Sequence, residues 1–370
     1  MSSARAHTNA GAWLEIRLDA VCANWRLLRQ QAEGAVCGAV VKADAYGLGA
    51  ARVAPALYRA GCRHFFVAHL DEGIALRPLL DTDAILYVMH GPPPGSEPEF
   101  VAHGLVPVLN SLPQLDAWQR LAHALGRELP AVLQVDTGMA RMGLPADELE
   151  AVANDEGRLR GLALQVVMSH LVSAEDPAAP INARQLERFR SALARLPRAR
   201  ASLANSSGIF LGPEYRFDLV RPGAALYGVA PVAGAANPMR PVVRLRSKVI
   251  QLRRIETGTG VGYGHAWVAS RPSRIATLAT GYADGWLRSF GNRGEVEFEG
   301  RRLPVVGRVS MDAITVDATD VPEGQLAEGA LVDLLGDSIG VDDAARAAGT
   351  IGYEILTSLG GRYARSYLGA

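Results

Sequence analysis

In Val36-Cys37-Gly38-Ala39-Val40-Val41-Lys42-Ala43-Asp44-Ala45-Tyr46-Gly47-Leu48-Gly49 a short apolar run stops on a lysine, and the amphipathic stretch Ala50–Ala60 follows. Apolar residues on both faces mark a strand buried inside a parallel sheet. An open doubly wound sheet more often carries a glycine-rich turn after its first strand, and here Lys42 holds that place. Outward from this unit the rhythm repeats. Strands are predicted near Val36–Val41, His64–Ala68, Ala84–Val88, Leu105–Leu109, Ala131–Val135, Leu164–Met168, Ala201–Ala204 and Phe217–Val220. Helical spacing of three and four recurs in Ala50–Ala60, Ser111–Leu125, Ala146–Ala153 and Ile181–Leu196. Eight such βα units predict a closed (β/α)8 barrel of the TIM type.

After about Gly234 the texture changes. Val242–Leu252, Arg274–Ala279, Gly294–Glu299, Leu303–Val309, Ala313–Val316 and Leu331–Leu334 read as strands, with few helical patterns among them. The expected division is a barrel over 12–234 and a mostly-β domain over 235–370. Ala12–Leu18 alternates in period two and is expected to pair with the second domain, ahead of a first helix capped by Asp19. Gly91–Gly95, with three prolines, reads as a stiff loop.

Length and composition narrow the task. At roughly 150 residues per domain, 370 residues suggest two domains, each long enough for a core, which excludes a disordered tail protein. Lysine plus arginine and aspartate plus glutamate both number 38, so no charge excess favours nucleic acid or an anionic membrane. Apolar runs such as Ala84–Met89 fall far short of the ~18 residues that span a bilayer. Met1–Gly11 lacks the apolar core of a secretory leader. The odd set Cys22, Cys37 and Cys62 fits reduced thiols. A cytoplasmic protein with a small-molecule task is expected. No His/Cys/Asp/Glu group has metal-ligand spacing, so no metal is expected.

In a barrel, chemistry sits where strands end. Lys42 ends the first, with the Tyr46 phenol four residues on. A lysine amine, once partly desolvated, can form a Schiff base with a carbonyl cofactor. Strand seven runs into Asn205-Ser206-Ser207-Gly208 and strand eight into Arg221-Pro222-Gly223-Ala224. Hydroxyls and small residues there let backbone N–H groups approach a phosphate, and barrel phosphate sites use these two loops. His170, after strand six, reads as a supporting residue. Asp136-Thr137-Gly138 also matches the active-site triplet of aspartic proteases, but those need two such carboxylates and this chain has one copy.

Val41-Lys42-Ala43-Asp44-Ala45-Tyr46-Gly47 resembles the cofactor-lysine motif of the alanine racemases, which are pyridoxal-phosphate enzymes. Further segments resemble that family's signatures in order: Asp136–Gly143, Asn205-Ser206, Arg221-Pro222-Gly223, Val261-Gly262-Tyr263-Gly264, Gly281–Gly285, Gly307–Asp312 and Tyr353-Glu354. The resemblance runs from about Trp13 to Tyr367. It implies a head-to-tail homodimer with active sites shared between subunits, interconverting L- and D-alanine. A racemase of the same fold acting on serine or on a broad range of amino acids is the alternative.

Racemisation removes the α-proton from one face and returns it on the other, so two bases on opposite faces are expected. The resemblance makes these Lys42 and, from the partner subunit, Tyr263, whose phenol needs a cation or a hydrogen bond that favours its ionised form. It further implies that Arg221 faces the cofactor ring nitrogen, that His170 and Asn205 support the cofactor, and that Tyr46, Ser206, Gly223, Ala224 and Tyr353 contact its phosphate. Arg141 and Met311 are implied on the substrate side, and Tyr282 at the entrance. One position departs from the pattern. The family's usual pattern has a carbamylated lysine seven residues before the motif arginine, where this chain has Gln134. The Gln134 carbonyl is expected to accept a weaker, uncharged bond from Arg141, with an anion such as chloride supplying the missing charge.

Overall fold

The chain of this computed structural model, which describes residues 9–369, enters through β1 (Ala12–Arg17) and α1 (Leu18–Gln31) before its repeating strands begin. The reading of Met1–Gly11 falls mostly outside the described residues. Asp19 lies in the first turn of α1 rather than capping it, because the helix starts at Leu18, two residues earlier than an Asp19 cap would place it.

One unit comprises 21–226 and 230–239. Its strands are β2 (Val36–Cys37), β3 (Ala39–Val40), β4 (His64–Val67), β5 (Ile85–Val88), β6 (Val106–Leu109), β7 (Leu129–Gln134), β8 (Leu162–Met168), β9 (Arg200–Ser202) and β10 (Leu219–Val220). β3 to β9 form a seven-stranded parallel sheet in sequence order. β10 pairs in parallel with β2, Leu219 opposite Val36. On its other flank Asp218 N donates to Ala201 O at 3.0 Å and Arg221 N to Ala204 O at 2.9 Å. The ring therefore closes through β10, with β2 and β3 two parts of the single strand predicted at Val36–Val41. Gly38 separates those parts because a Cβ there would lie 2.9 Å from the Phe66 ring and 3.0 Å from His64 O.

Between the strands run α2 (Ala50–Arg59), α3 (Leu70–Leu76), α4 (Glu97–Ala102), α5 (Leu112–Leu125), α6 (Ala146–Ala153) and α7 (Pro180–Leu193). Ser111 caps α5 by accepting from Gln114 N, and Gly126 ends it in the left-handed region. β4 and β6 are buried along their whole length, as the continuous apolar runs require.

The other unit comprises 9–20, 227–229 and 240–369. Its strands are β11 (Val243–Ile255), β12 (Gly260–Val261), β13 (Trp267–Val268), β14 (Ser273–Leu278), β15 (Glu295–Phe298), β16 (Arg301–Pro304), β17 (Ile314–Asp317), β18 (Leu331–Leu335) and β19 (Ala364–Leu368). β1 lies between β11, antiparallel, and β19, parallel. β11 pairs along its first half with β1 and β18, then along its second half with β14. Two features differ from expectation. The strand expected over Leu303–Val309 ends at Pro304, and only Val305 still bridges Val316. Two helices, α8 (Val341–Ala348) and α9 (Gly352–Ser358), lie among the strands. α8 buries Val341, Ala344, Ala345 and Ala348, a helical stripe made faint in the sequence by its small residues.

Candidate active site

Val41 N donates to Phe66 O at 2.8 Å, so the chain is still strand-paired one residue before Lys42. Then it turns the wrong way. Ala43, Asp44, Ala45 and Tyr46 have φ of 51°, 52°, 54° and 57°, a left-handed turn built from residues with side chains. At about 1–2 kcal/mol per residue, this conformation costs on the order of 4–8 kcal/mol and must be held from outside. Glu72 Oε1 accepts from Ala43 N at 2.6 Å, Val41 O from Ala45 N at 2.9 Å, and Asp44 Oδ1 from Ala50 N at 2.7 Å. The turn leaves Tyr46 buried, with its hydroxyl against Gly223, where any Cβ would collide with it.

The loops after β9 and β10 complete a cradle. Ser206 Oγ accepts from Gly223 N at 2.9 Å and from Ala225 N at 3.2 Å. Asn205 Oδ1 accepts from Gly208 N at 2.8 Å. Among the described residues Ala224 N, at the start of a 3-10 turn, donates no hydrogen bond. Hydroxyls, a free N–H and a glycine with no room for a side chain suit a phosphate.

Arg221 is buried beside this cradle. Its Nη1 donates to Ser202 Oγ, and its Nη2 to Ser169 O at 2.6 Å and Leu203 O at 3.5 Å. All three acceptors are uncharged. Burial pushes the guanidinium down to about 10, which still leaves it protonated at neutral pH. His170 is pushed down to about 3 by burial and by the charges of Arg221, Arg141 and Lys42. It is neutral in use and a poor proton acceptor. The Lys42 amine is lowered by burial first and by the Arg141 charge second, with Glu72 opposing. A lowered amine gives up its proton more readily, which favours Schiff-base chemistry. This donor set, an amine, a buried guanidinium and a phosphate cradle, fits pyridoxal phosphate.

Arg141 rides on the loop between β7 and α6. Asp136 organises the loop, accepting from Gly138 N at 2.8 Å, Met139 N at 2.9 Å and Ala140 N at 3.0 Å. Its oxygens are thereby committed to backbone, which removes the protease reading of the triplet. Gln134 does not do what was expected of it. Its Nε2 donates to Met142 O at 3.2 Å, and among the described residues no hydrogen bond joins it to Arg141. The amide is used by the loop backbone, while the Arg141 side chain is exposed.

The remaining sequence-identified residues lie in the other unit. Tyr263 is 70% exposed, in a 3-10 turn between β12 and β13. The Arg308 guanidinium lies beside Gly264 in that turn, 3.7 Å from where a Cβ would stand. Tyr282 and Met311 are brought together, since Tyr282 N donates to Ser310 O at 3.0 Å and Ala283 N to Met311 O at 2.9 Å. Arg362 braces both loops through Asp284 at 3.0 Å and Asp312 at 2.7 Å. Tyr353 is partly exposed near the start of α9. Among the described residues no group of three or more His, Cys, Asp or Glu is placed to hold a metal ion.

The alanine racemase N-terminal domain model matches residues 16–231 and the alanine racemase C-terminal domain model residues 242–367. The chain belongs to the alanine racemase family. It is 56% identical to the catabolic alanine racemase of Mesorhizobium japonicum, over 97% of this chain and 94% of that protein. To the alanine racemase of Rhodospirillum rubrum it is 52% identical, over 97% and 96%. The crystal structure of alanine racemase from Bartonella henselae with covalently bound pyridoxal phosphate superposes with a TM-score of 0.94 at 43% identity, covering 97% of this chain and all of that one. Membership makes the chain a pyridoxal-phosphate-dependent isomerase.

Several residues that shape the barrel mouth escaped the sequence reading. Ser202 and the Ser169 carbonyl, acceptors for Arg221, look like ordinary strand-end residues. Glu72 had a signal in its place three residues after His69, the spacing at which an acidic side chain reaches back to a helix start.

Proposed function

We propose that the chain interconverts L- and D-alanine with Lys42 and Tyr263 as the two bases, Tyr263 being supplied by the second subunit of a homodimer. The observation that carries this is the barrel mouth, where a desolvated lysine amine, a buried guanidinium and a cradle of hydroxyls and backbone N–H groups stand on adjoining strand ends. Pyridoxal phosphate, when bound, supplies the carbonyl for the amine and an electron-withdrawing ring that weakens the α C–H bond. Tyr46, Ser206, Gly223, Ala224 and Tyr353 hold the phosphate, with Asn205 and His170 supporting the cofactor.

Lys42 Nζ serves one face of the α-carbon and the Tyr263 hydroxyl the other, so a proton leaves from one side and returns from the opposite side. Arg221, which keeps its own proton, would face the ring nitrogen as a donor, and a donor there would favour return of the proton over side reactions. Neutral His170 adds no charge. Arg141 and Met311 meet the substrate, and Tyr282 narrows the entrance. The exposure of Tyr263 supports its action on another subunit. Residues 12–234 act as the cofactor module and 235–370 as the module that supplies Tyr263. The three buried cysteines, none of them in a disulfide, support a cytoplasmic setting.

The test follows the decay of circular dichroism of L-alanine, L-serine and L-lysine with purified holoenzyme. Fastest racemisation of alanine supports the proposal; a preference for serine or lysine gives the site to another amino acid. Borohydride reduction and peptide mapping of the same holoenzyme place the cofactor on Lys42, and label on any other lysine removes it from this role.

A further inference from the structure

Four consecutive non-glycine residues in left-handed conformation follow the cofactor lysine, the last of them the tyrosine that meets the cradle, and one side chain from elsewhere in the barrel reaches that turn with a charge. Glu72 stands in the first turn of α3, directly after β4. Its Oε2 accepts from Ala68 N at 2.7 Å and His69 N at 3.0 Å, which caps its own helix. Its Oε1 accepts from Ala43 N at 2.6 Å, which does nothing for that helix. Every partner is a donor, and both oxygens are used. Glutamine cannot reproduce this, because its NH2 group would face an N–H; aspartate keeps the charge but is one methylene too short.

We propose that Glu72 is the positioning residue for the cofactor lysine: by holding Ala43 N it fixes the left-handed turn and so sets the Lys42 amine and the Tyr46 hydroxyl at their required separation. Ala43 is the first residue of the turn, so a bond there settles the direction in which the chain leaves Lys42. The carboxylate also opposes the effect of Arg141 on the Lys42 amine. The other charged or titratable groups acting on this region are His90, which feels Lys42, Arg141, Glu72 and His69, and His170, held neutral. The proposal rests on the reading that Lys42 carries the cofactor, which the borohydride label on wild-type holoenzyme checks separately.

The experiment compares wild type, Glu72→Gln and Glu72→Asp holoenzymes for the Kd of pyridoxal phosphate and for the visible circular dichroism band of the bound cofactor. Each is measured at a temperature where far-ultraviolet signal shows the variant fully folded. Both variants are then repeated in an Ala43→Gly background, since glycine enters the left-handed region without the steric cost that alanine carries. Expected are a Kd raised about tenfold and a weakened visible band in both single variants, with a smaller factor in the glycine background. A purely helix-capping role lowers the melting temperature and leaves Kd and band alone. A Kd change under threefold in both variants overturns the proposal, as does an equal factor in the alanine and glycine backgrounds.

Discussion

Replacing Gln134 by alanine separates two accounts of how the Arg141 loop is held. The Gln134 side chain is buried and spends its Nε2 on Met142 O, one residue past Arg141, while Asp136 secures only the loop's first half. Removing the amide forfeits a hydrogen bond with a net worth of about 0.5–1.5 kcal/mol, and a carbonyl left unpaired costs about 1–3 kcal/mol. About 2 kcal/mol is a fair expectation for the loop. If all of it falls on the population of the ordered loop, apparent substrate affinity drops at most about thirtyfold, since 1.4 kcal/mol is tenfold. Cofactor affinity stays unchanged, because the variant touches none of Lys42, Ser206 or Arg221. The assay is steady-state racemisation of L-alanine: KM is expected to rise about five- to thirtyfold with kcat within threefold. Glutamine cannot be carbamylated, so wild-type activity is expected to be indifferent to removal of dissolved carbon dioxide. Wild-type KM in Gln134→Ala means that the amide merely fills space, and reversible loss of wild-type activity without carbon dioxide would falsify the uncarbamylated account.

Two other predictions concern subunits and acid. Mixed Lys42→Ala and Tyr263→Phe chains are expected to recover part of the activity, since one site of each heterodimer receives both wild-type residues; no recovery in demonstrated heterodimers contradicts a shared site. His64, bonded through Nδ1 to the Tyr87 hydroxyl at 3.0 Å, is pushed down to about 4 by burial and the charge of Arg200. The unfolded chain therefore takes up this proton below about pH 6.5 while the folded chain refuses it until about pH 4, so stability falls as pH drops through that window. Urea unfolding at pH 7 and pH 5 is expected to show wild type losing about 2 kcal/mol more than His64→Gln; parallel losses reject the assignment.

The barrel was legible because its strands are apolar on both faces, and only burial in a parallel sheet explains such runs. Even two-residue β10 was marked by Leu219 and Val220 ahead of Arg221. The turn after Lys42 was not legible. Ala43, Ala45 and Tyr46 have no local preference for positive φ, and the conformation is imposed by bonds from Val41 and Glu72. Helix α8 was obscured by its alanines. The pairing of Gln134 with Arg141 was misjudged because spacing along a chain says which groups are near, not which way their side chains turn: the amide gives its Nε2 to Met142 O and Arg141 stays exposed. Glu72 went unread for the opposite reason: a carboxylate at a helix start reads as a cap, and nothing in its neighbours betrays the third donor.

The seam that closes the ring has a kinetic consequence. Leu219 and Val36 are distant in sequence, and bringing such strands together costs loop-closure entropy that slows folding. Arg221 follows β10 directly and finds its acceptors on β9 and on the loop after β8. Ser206 meets Gly223 and Ala225 across the same seam. Docking of β10 therefore completes the anion cradle and shelters the guanidinium in one event. A nascent chain has nothing for the cofactor to recognise until that moment, and a ligand that binds only the zipped ring holds it shut by mass action.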